Sequence, residues 1–290
     1  MSVNGVSHMQ EPETIVLIHG LWMTPRSWED WAAYYGKRGY NVVTPPFPGF
    51  EVEVESLRAD PAPIESLSVA KTVDHLALIL SQFDRQPILI GHSFGGTLVQ
   101  LLLDRGFGSV GVAINSAPPE GVKVTPPSQI KSIFPILRKP GNRDGLAPFT
   151  HEQFHYAFTN TMSEEDSLKV YERYYIPAPA RIVWTGVLAN FTPGHQEAYV
   201  NFRNDDRAPL LFIAGSEDHI MPPAVNKSNA NHYRESKAIT DYYEFEGRSH
   251  FTCGEPGWEA VADYALDWAV KHARSSEVAR VVETAGTVAD

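Results

Sequence analysis

The sequence contains a single cysteine, Cys253, among its 290 residues. One cysteine forms no intrachain disulfide, and it offers no Cys cluster for zinc or an iron–sulfur centre. We therefore expect a protein of a reducing, cytoplasmic compartment without a cysteine-bound metal centre. Two interpretations of Cys253 stay open, a small half-buried apolar residue or a redox-sensitive thiol.

Long apolar runs and blocks of basic residues are absent as well. No segment holds about 20 uninterrupted apolar residues, the length that a membrane-spanning helix needs, and the opening MSVNGVSHMQEPET lacks the basic flank and apolar run of a secretory signal. The net charge is −11, and no block of Lys and Arg is suited to a phosphate backbone. We expect neither a membrane nor a nucleic acid as partner, and acidity also disfavours polyanions unless a local basic pocket overrides it.

What the sequence does contain is a regular alternation of short apolar runs with longer helical patterns. Such alternation favours a mostly parallel sheet covered by helices on both faces, an α/β fold. Helical spacing recurs before the third run and near the C-terminus, at 69–83 and 258–268. The six predicted strands are residues 14–18, 41–44, 87–90, 111–114, 209–214 and 241–245.

Residues 117–207, called here the inserted segment, interrupt this alternation. They are rich in proline and aromatic residues, and they contain helical patterns at 152–158 and 164–174 with no strand between them. Ser163 precedes the second pattern as a helix-capping residue. We interpret the inserted segment as a helical lid on a core formed by 1–116 and 208–275, and we expect the polar tail, 276–290, to be frayed.

The most specific motif is GHSFGG at 91–96, which fits G-x-S-x-G and lies between a predicted strand and a predicted helix. A sharp strand-to-helix turn needs small residues at Gly91 and Gly95, because the two backbones pass close together. The turn exposes the hydroxyl of Ser93 beside the positive end of the following helix. The pattern therefore predicts that Ser93 is a nucleophile.

A serine nucleophile needs a base, and the base needs a carboxylate to fix its tautomer. His250, in GRSHF after the last predicted strand, is the histidine best placed at the same edge of the sheet, ahead of His219. Asp218, in GSEDHIMP after the preceding strand, is the predicted acid, and its neighbour Glu217 is the rival. The order Ser, Asp, His along the chain is typical of an α/β sheet that carries its nucleophile in a sharp strand-to-helix turn.

Acyl transfer also requires backbone N–H donors for the developing oxyanion. Phe94 directly follows the nucleophile, and Leu21 follows Gly20 in HGLW after the first strand, so these two residues are the predicted donors. Trp22 is next to Leu21 and is a candidate for the pocket wall. Among the many aromatic residues of the inserted segment, Phe158 and Trp184 are further candidates.

The motifs HGLW, GHSFGG, GSEDHIMP and GRSHF occur in the order found in the α/β-hydrolase superfamily, which the chain resembles from about residue 14 to 272. It is most similar there to single-domain bacterial esterases and cofactor-free haloperoxidases. The resemblance implies the triad Ser93, Asp218 and His250 and the oxyanion donors Leu21 and Phe94. It also implies a sheet shortened to about six strands. One departure is PPFPGF at 45–50, where relatives carry an Asp-containing loop.

These features together predict a serine hydrolase that needs neither metal nor cofactor and cleaves small apolar or aromatic esters or lactones through an acyl-enzyme. Amides are less favoured at a site that we expect to be exposed to solvent. A serine in place of a carboxylate nucleophile excludes haloalkane dehalogenase and epoxide hydrolase chemistry. Two alternatives stay open. The same triad also serves non-hydrolytic reactions such as peracid formation, hydroxynitrile cleavage or cofactor-free oxygenation, and a hormone-receptor-like protein would turn over slowly.

Overall fold

The computed structural model describes residues 13–274, and the tail 276–290 lies outside this range. Six of the eight strands form one parallel sheet in the order β2-β1-β3-β4-β7-β8, and β5 and β6 form a small antiparallel pair. This architecture confirms the predicted parallel sheet of six strands. The strands are β1 Thr14–Ile18, β2 Asn41–Val43, β3 Ile88–His92, β4 Val110–Ile114, β5 Leu146–Ala147, β6 Ala178–Pro179, β7 Leu210–Gly215 and β8 Thr240–Phe245.

Ten α-helices connect these strands within the described range, and none of the ten is long and apolar enough to cross a lipid bilayer. The helices are α1 Glu29–Lys37, α2 Val54–Ala59, α3 Val69–Leu80, α4 Phe94–Asp104, α5 Pro127–Leu137, α6 His151–Phe158, α7 Glu164–Tyr174, α8 Ala180–Leu188, α9 Pro223–His232 and α10 Trp258–His272.

The sheet is buried on both faces because its strands alternate between two apolar clusters. In β1, Val16 and Ile18 point to the side covered by α3 and α4, while Ile15 and Leu17 point to the side covered by α1 and α10. Strands β3, β4 and β7 are buried at every position. Near-continuous apolar strands are what a two-sided parallel sheet requires.

Parallel strands end at one edge of the sheet, so the loops that follow them meet there. The turns after β1, β3, β4, β7 and β8 carry Leu21, Ser93, Asn115, Asp218 and His250 respectively. Residues that are far apart in the chain therefore lie at a common edge.

The inserted segment lies between β4 and β7 and contains α5 to α8 with the β5–β6 pair. It is hydrogen-bonded to the loop after β1, where the indole Nε1 of Trp22 donates to the carbonyl of Ala147 at 2.8 Å and the N–H of Ile176 donates to the carbonyl of Trp22 at 3.0 Å. At the outer surface the Arg58 guanidinium donates to the carbonyls of Glu172 and Tyr175, which end α7. The segment is thus attached to the core beside the strand ends.

Candidate active site

The turn between β3 and α4 holds Ser93 in a strained conformation, with φ 57° and ψ −119°. A Cβ atom added to Gly91 would lie 2.2 Å from the Gly95 carbonyl oxygen, and one added to Gly95 would lie 2.1 Å from the Ile18 carbonyl oxygen. The backbone of Ser93 is held by its N–H, which donates to the Ile114 carbonyl at 2.9 Å. The turn is therefore made possible by the two glycines and held by backbone contacts, and it does not depend on the Ser93 hydroxyl.

Asp218 and His250 form a buried pair. The Asp218 Oδ2 atom lies 2.6 Å from His250 Nδ1, and both side chains are fully shielded from solvent. The other carboxylate oxygen, Oδ1, accepts the N–H groups of Ile220 at 2.9 Å and Met221 at 2.7 Å. Because an ionised carboxylate only accepts hydrogen bonds, we place the imidazole proton on Nδ1. Nε2 then remains as an acceptor, and it has no hydrogen-bond partner among the described residues.

The two rivals considered for these roles lie elsewhere. Glu217 is exposed, and its side chain reaches only the Ser216 hydroxyl, at 3.5 Å. His219 packs against Tyr156 of the inserted segment, whose carbonyl lies 2.8 Å from His219 Nδ1. The structure brings Asp218 to His250, whereas neither rival makes a hydrogen bond to that histidine within residues 13–274.

Two side chains at strand ends hold the backbone of the His250 loop. His92 Nε2 lies 2.7 Å from the His250 carbonyl, and Asn115 Nδ2 lies 3.1 Å from the carbonyls of both Ser249 and His250. Asn115 also accepts the Gly215 N–H at 2.7 Å, so it links β7 to this loop. Burial, with the nearby His250 as a second cause, lowers the pKa of His92 to about 3. His92 therefore stays neutral and donates to the carbonyl.

Sequence reasoning missed both of these residues as parts of the site. The place of Asn115 directly after a central strand was the one sequence signal for it, and the structure adds a positive φ of 45° that is typical of a functional turn. The contact between Asn115 and the His250 loop spans 135 positions of the chain. No local pattern reveals such a pairing.

The inserted segment also touches the His250 loop directly. The Phe158 carbonyl, at the end of α6, accepts the Phe251 N–H at 2.8 Å and lies 2.7 Å from the Ser249 hydroxyl. Buried Glu255 accepts the Ser249 N–H at 3.0 Å and contacts the Thr161 hydroxyl at 2.5 Å. The loop that carries His250 is therefore held from the core and from the inserted segment together.

The residues expected to supply the oxyanion donors lie close to Ser93. A Cβ atom on Gly20 would lie only 2.8 Å from the Ser93 Cβ atom, so the loop that carries Leu21 packs directly against the elbow. His19 stacks on Phe47 with 3.7 Å between ring centres, and its burial lowers its pKa to about 4. The N–H groups of Leu21 and Phe94 remain predicted donors.

An aromatic layer formed by Trp22, Phe149 and Phe158 covers the site. Trp22 stacks on Phe149 with centres 4.7 Å apart, and its ring meets Phe158 edge to face at 5.8 Å. Phe158 in turn meets the His250 ring edge to face at 4.7 Å. Ser93 is only 3% exposed. The expectation of an exposed site is therefore wrong, because the inserted segment packs its aromatic residues over the strand ends.

Trp184 lies on α8, half-buried against the same apolar cluster. Its indole Nε1 is buried and has no hydrogen-bond partner within residues 13–274, and no other ring of that range stacks on it. The structure thus brings Phe158 to the His250 ring and Trp22 to Phe158, and it does not bring Trp184 into ring contact with this group.

Cys253 is 6% exposed, and burial raises the pKa of its thiol. A protonated, buried thiol is unreactive, so the interpretation as a small apolar residue is favoured over the redox switch. Within the described range no group of three or more His, Cys, Asp and Glu residues is arranged to hold a metal ion.

Several solved structures share the fold of this chain. An extracellular α/β-hydrolase from a Paenibacillus species is 23% identical with a TM-score of 0.66, covering 91% of this chain and 100% of that chain. A monoacylglycerol lipase from Paleococcus ferrophilus is 20% identical with a TM-score of 0.62, covering 91% and 96%. An Arabidopsis methylesterase is 15% identical with a TM-score of 0.60, covering 89% and 99%.

At such identities the three structures show a common fold, and comparison with curated protein sequences gives no match. The sequence model of the alpha/beta hydrolase family matches residues 15–264, which is most of the chain. This match spans the elbow, both strand-end loops of the Asp218–His250 pair and the inserted segment. The chain belongs to the α/β-hydrolase family.

Proposed function

We propose that the protein is a serine hydrolase that cleaves carboxylic ester bonds through an acyl-enzyme. The observation that carries the proposal is the buried Asp218–His250 pair, which leaves His250 Nε2 without a partner at the sheet edge where the strained turn presents Ser93. An unpartnered imidazole nitrogen at the sheet edge that also carries a serine at a helix N-terminus is suited to nucleophilic catalysis. The lipase and methylesterase among the similar structures act on esters, which supports the same class.

In the first half-reaction the Ser93 oxygen attacks the ester carbonyl while its proton passes to His250 Nε2. The carbonyl oxygen becomes an oxyanion and accepts hydrogen bonds from the N–H groups of Leu21 and Phe94. Asp218 stabilises the imidazolium that has formed, and it does so without accepting the proton. The tetrahedral intermediate then expels the alcohol, which takes the proton from Nε2, and an ester of Ser93 remains.

In the second half-reaction water replaces the alcohol. His250 Nε2 removes a proton from the water as its oxygen attacks the acyl carbon, and the same proton returns to Ser93 when the acid leaves. Each cycle consumes one ester and one water and returns every group of the enzyme to its first state. No cofactor is required for this balance.

The substrates we propose are small apolar or aromatic esters or lactones, with the inserted segment acting as a lid that selects them. Trp22 contacts Phe158, and Phe158 contacts the His250 ring, which favours an apolar acyl site. Because Ser93 and His250 are shielded in this conformation, the lid has to shift before a substrate enters.

We also propose a cytoplasmic location, because a single cysteine fits a reducing compartment. Cell fractionation tests this proposal.

A serine-directed fluorophosphonate tests the nucleophile. We expect one covalent adduct, located on Ser93 by peptide mass spectrometry, together with loss of p-nitrophenyl acetate hydrolysis. Ser116 is a matched control because it is also buried and follows the neighbouring strand. S93A should neither label nor hydrolyse, while S116A should do both. An adduct on another residue, or full hydrolysis by S93A, would contradict the proposed function.

The same assay distinguishes the non-hydrolytic alternatives. An enzyme that uses Ser93 for peracid formation or for lyase chemistry would react with the fluorophosphonate yet turn over few esters. Ester turnover of less than about one per minute with intact labelling would therefore favour one of those reactions or a receptor-like role, since typical enzymes turn over about ten times per second.

A further inference from the structure

A cavity of about 190 Å³ lies between the C-terminal end of α5 and the beginning of α6. Its apolar wall includes Ile136, Leu146 and Phe149, and Arg138 and Lys139 stand among the residues that line it. No acidic side chain belongs to the lining. A cavity of roughly 150 Å³ holds a benzene molecule, so this one has room for an aromatic ring or a short alkyl chain.

The charge around this cavity is opposite to that of the whole chain. Residues 121–143 contain five of the 24 basic residues and none of the 35 acidic residues, although the net charge is −11. Arg138 and Lys139 are exposed, and neither belongs to an ion pair within the described range. Asp144 and Glu152 flank the region without lining the cavity. The rim is therefore a local positive site on an acidic protein.

The cavity shares Phe149 with the aromatic layer that contacts the candidate active site. Phe149 lines the cavity, and its ring stacks on Trp22, whose indole is anchored on the Ala147 carbonyl in the same wall. Phe149 also meets Phe158 edge to face at 6.4 Å, and Phe158 contacts the His250 ring. A continuous run of ring contacts thus links the wall of the cavity to the His250 ring.

We propose that this cavity binds the non-reacting end of an anionic substrate, an ester that carries an apolar group and a free carboxylate. The apolar group occupies the space beside Ile136 and Phe149, and the carboxylate pairs with Arg138 and Lys139. The ester bond reaches Ser93 when the aromatic layer moves. This inference rests on the proposed function. The net charge of −11 repels anions from the protein as a whole, whereas Arg138 and Lys139 attract an anion to this cavity.

Binding is tested first, without catalysis, by calorimetric titration of 4-phenylbutyrate and of the uncharged 4-phenyl-1-butanol. We expect the carboxylate to bind more tightly than the alcohol, and R138Q/K139Q to weaken only the carboxylate, by about tenfold, since two partly exposed charge pairs are together worth roughly that factor. Salt at about 0.5 M should produce a similar loss, because it screens exposed charges.

The control variant K123Q/R143Q removes the same amount of charge from the same segment but from residues that do not line the cavity. Its affinity for 4-phenylbutyrate should stay within about twofold of the wild type. Equal binding of acid and alcohol would overturn the inference, and so would a control that loses as much affinity as R138Q/K139Q.

Kinetics then separate the cavity from the proposed function. We compare kcat/KM for the mono-p-nitrophenyl ester of sebacic acid, whose eight methylenes can span the aromatic layer, with kcat/KM for p-nitrophenyl decanoate, which has the same acyl length and no charge. R138Q/K139Q should lose about tenfold on the sebacate ester through KM, and should keep decanoate hydrolysis within twofold. Equal losses on both esters would refute the anionic subsite, whereas selective carboxylate binding without any hydrolysis would refute only the ester-hydrolase proposal.

Discussion

Replacing Asp218 by asparagine perturbs the candidate site at a single atom. Oδ1 of Asp218 already accepts two backbone N–H groups, from Ile220 and Met221. The asparagine oxygen must take this position, since an amide NH2 there would face two donors. The NH2 group then points at His250 Nδ1, which lies 2.6 Å from the present carboxylate oxygen.

An amide donor opposite Nδ1 reverses the tautomer of His250. The nitrogen must accept the amide hydrogen, so the imidazole proton moves to Nε2, the atom that has to take the serine proton. Both side chains are fully shielded from solvent, and no water can substitute for the lost acceptor without rearrangement. The loss expected for such a tautomer change is about 10⁴-fold in kcat, which corresponds to roughly 5.5 kcal/mol of activation free energy.

The assay is steady-state hydrolysis of p-nitrophenyl acetate, with thermal unfolding followed by circular dichroism to show that D218N is folded. Glu217 supplies the matched control, because it is the adjacent acid and its side chain is exposed. E217Q should keep kcat within about threefold. The reasoning is refuted if E217Q loses as much as D218N, or if folded D218N keeps more than about one hundredth of the wild-type kcat.

Three further outcomes are expected. S93A should stay folded, because the turn is held by backbone contacts, and its hydrolysis should fall below about one hundredth of the wild-type rate, because the nucleophilic oxygen is gone. A more active variant would show that Ser93 is not the nucleophile. N115A should lower kcat about 10- to 100-fold with little change in KM, since it releases the His250 loop, whereas N41A, on an edge strand, should match the wild type. Burial lowers the pKa of His19 to about 4 and that of His92 to about 3, so the unfolded chain binds more protons below pH 6.5. The free energy of unfolding should then fall between pH 6.5 and 4 by up to about 1.4 kcal/mol per pH unit for each histidine; urea titrations in which H92Q keeps the full slope would contradict this assignment.

Most of the core could be predicted from sequence because its signals are local. The apolar run at 111–114 became β4, Val110–Ile114, and the helical pattern at 164–174 became α7 with the same bounds. The strand-to-helix turn at Ser93 could be predicted because its glycine spacing, the preceding strand and the following helix all lie between Ile88 and Asp104. Each of these signals depends on neighbours in the chain.

The rest of the site depends on contacts between distant segments. The short β5–β6 pair, the helix α5 with its internal Pro135 and the helix α8 were not predicted, since two-residue strands and a proline-containing helix give weak patterns. The Phe158 carbonyl reaches residue 251 across more than ninety positions. Such pairings, and the burial of Ser93 that follows from them, are set by tertiary packing.

The burial of Cys253 has a practical consequence for studying movement of the inserted segment. Its thiol is shielded and held protonated, and maleimide dyes react with accessible thiolates. A cysteine introduced at an exposed position such as Ile130, on α5, would then be the one readily labelled site within residues 13–274 of an otherwise native sequence. The emission of a single fluorophore there would report on movement of α5, and a signal that stays constant when substrate is added would contradict the proposed opening of the inserted segment.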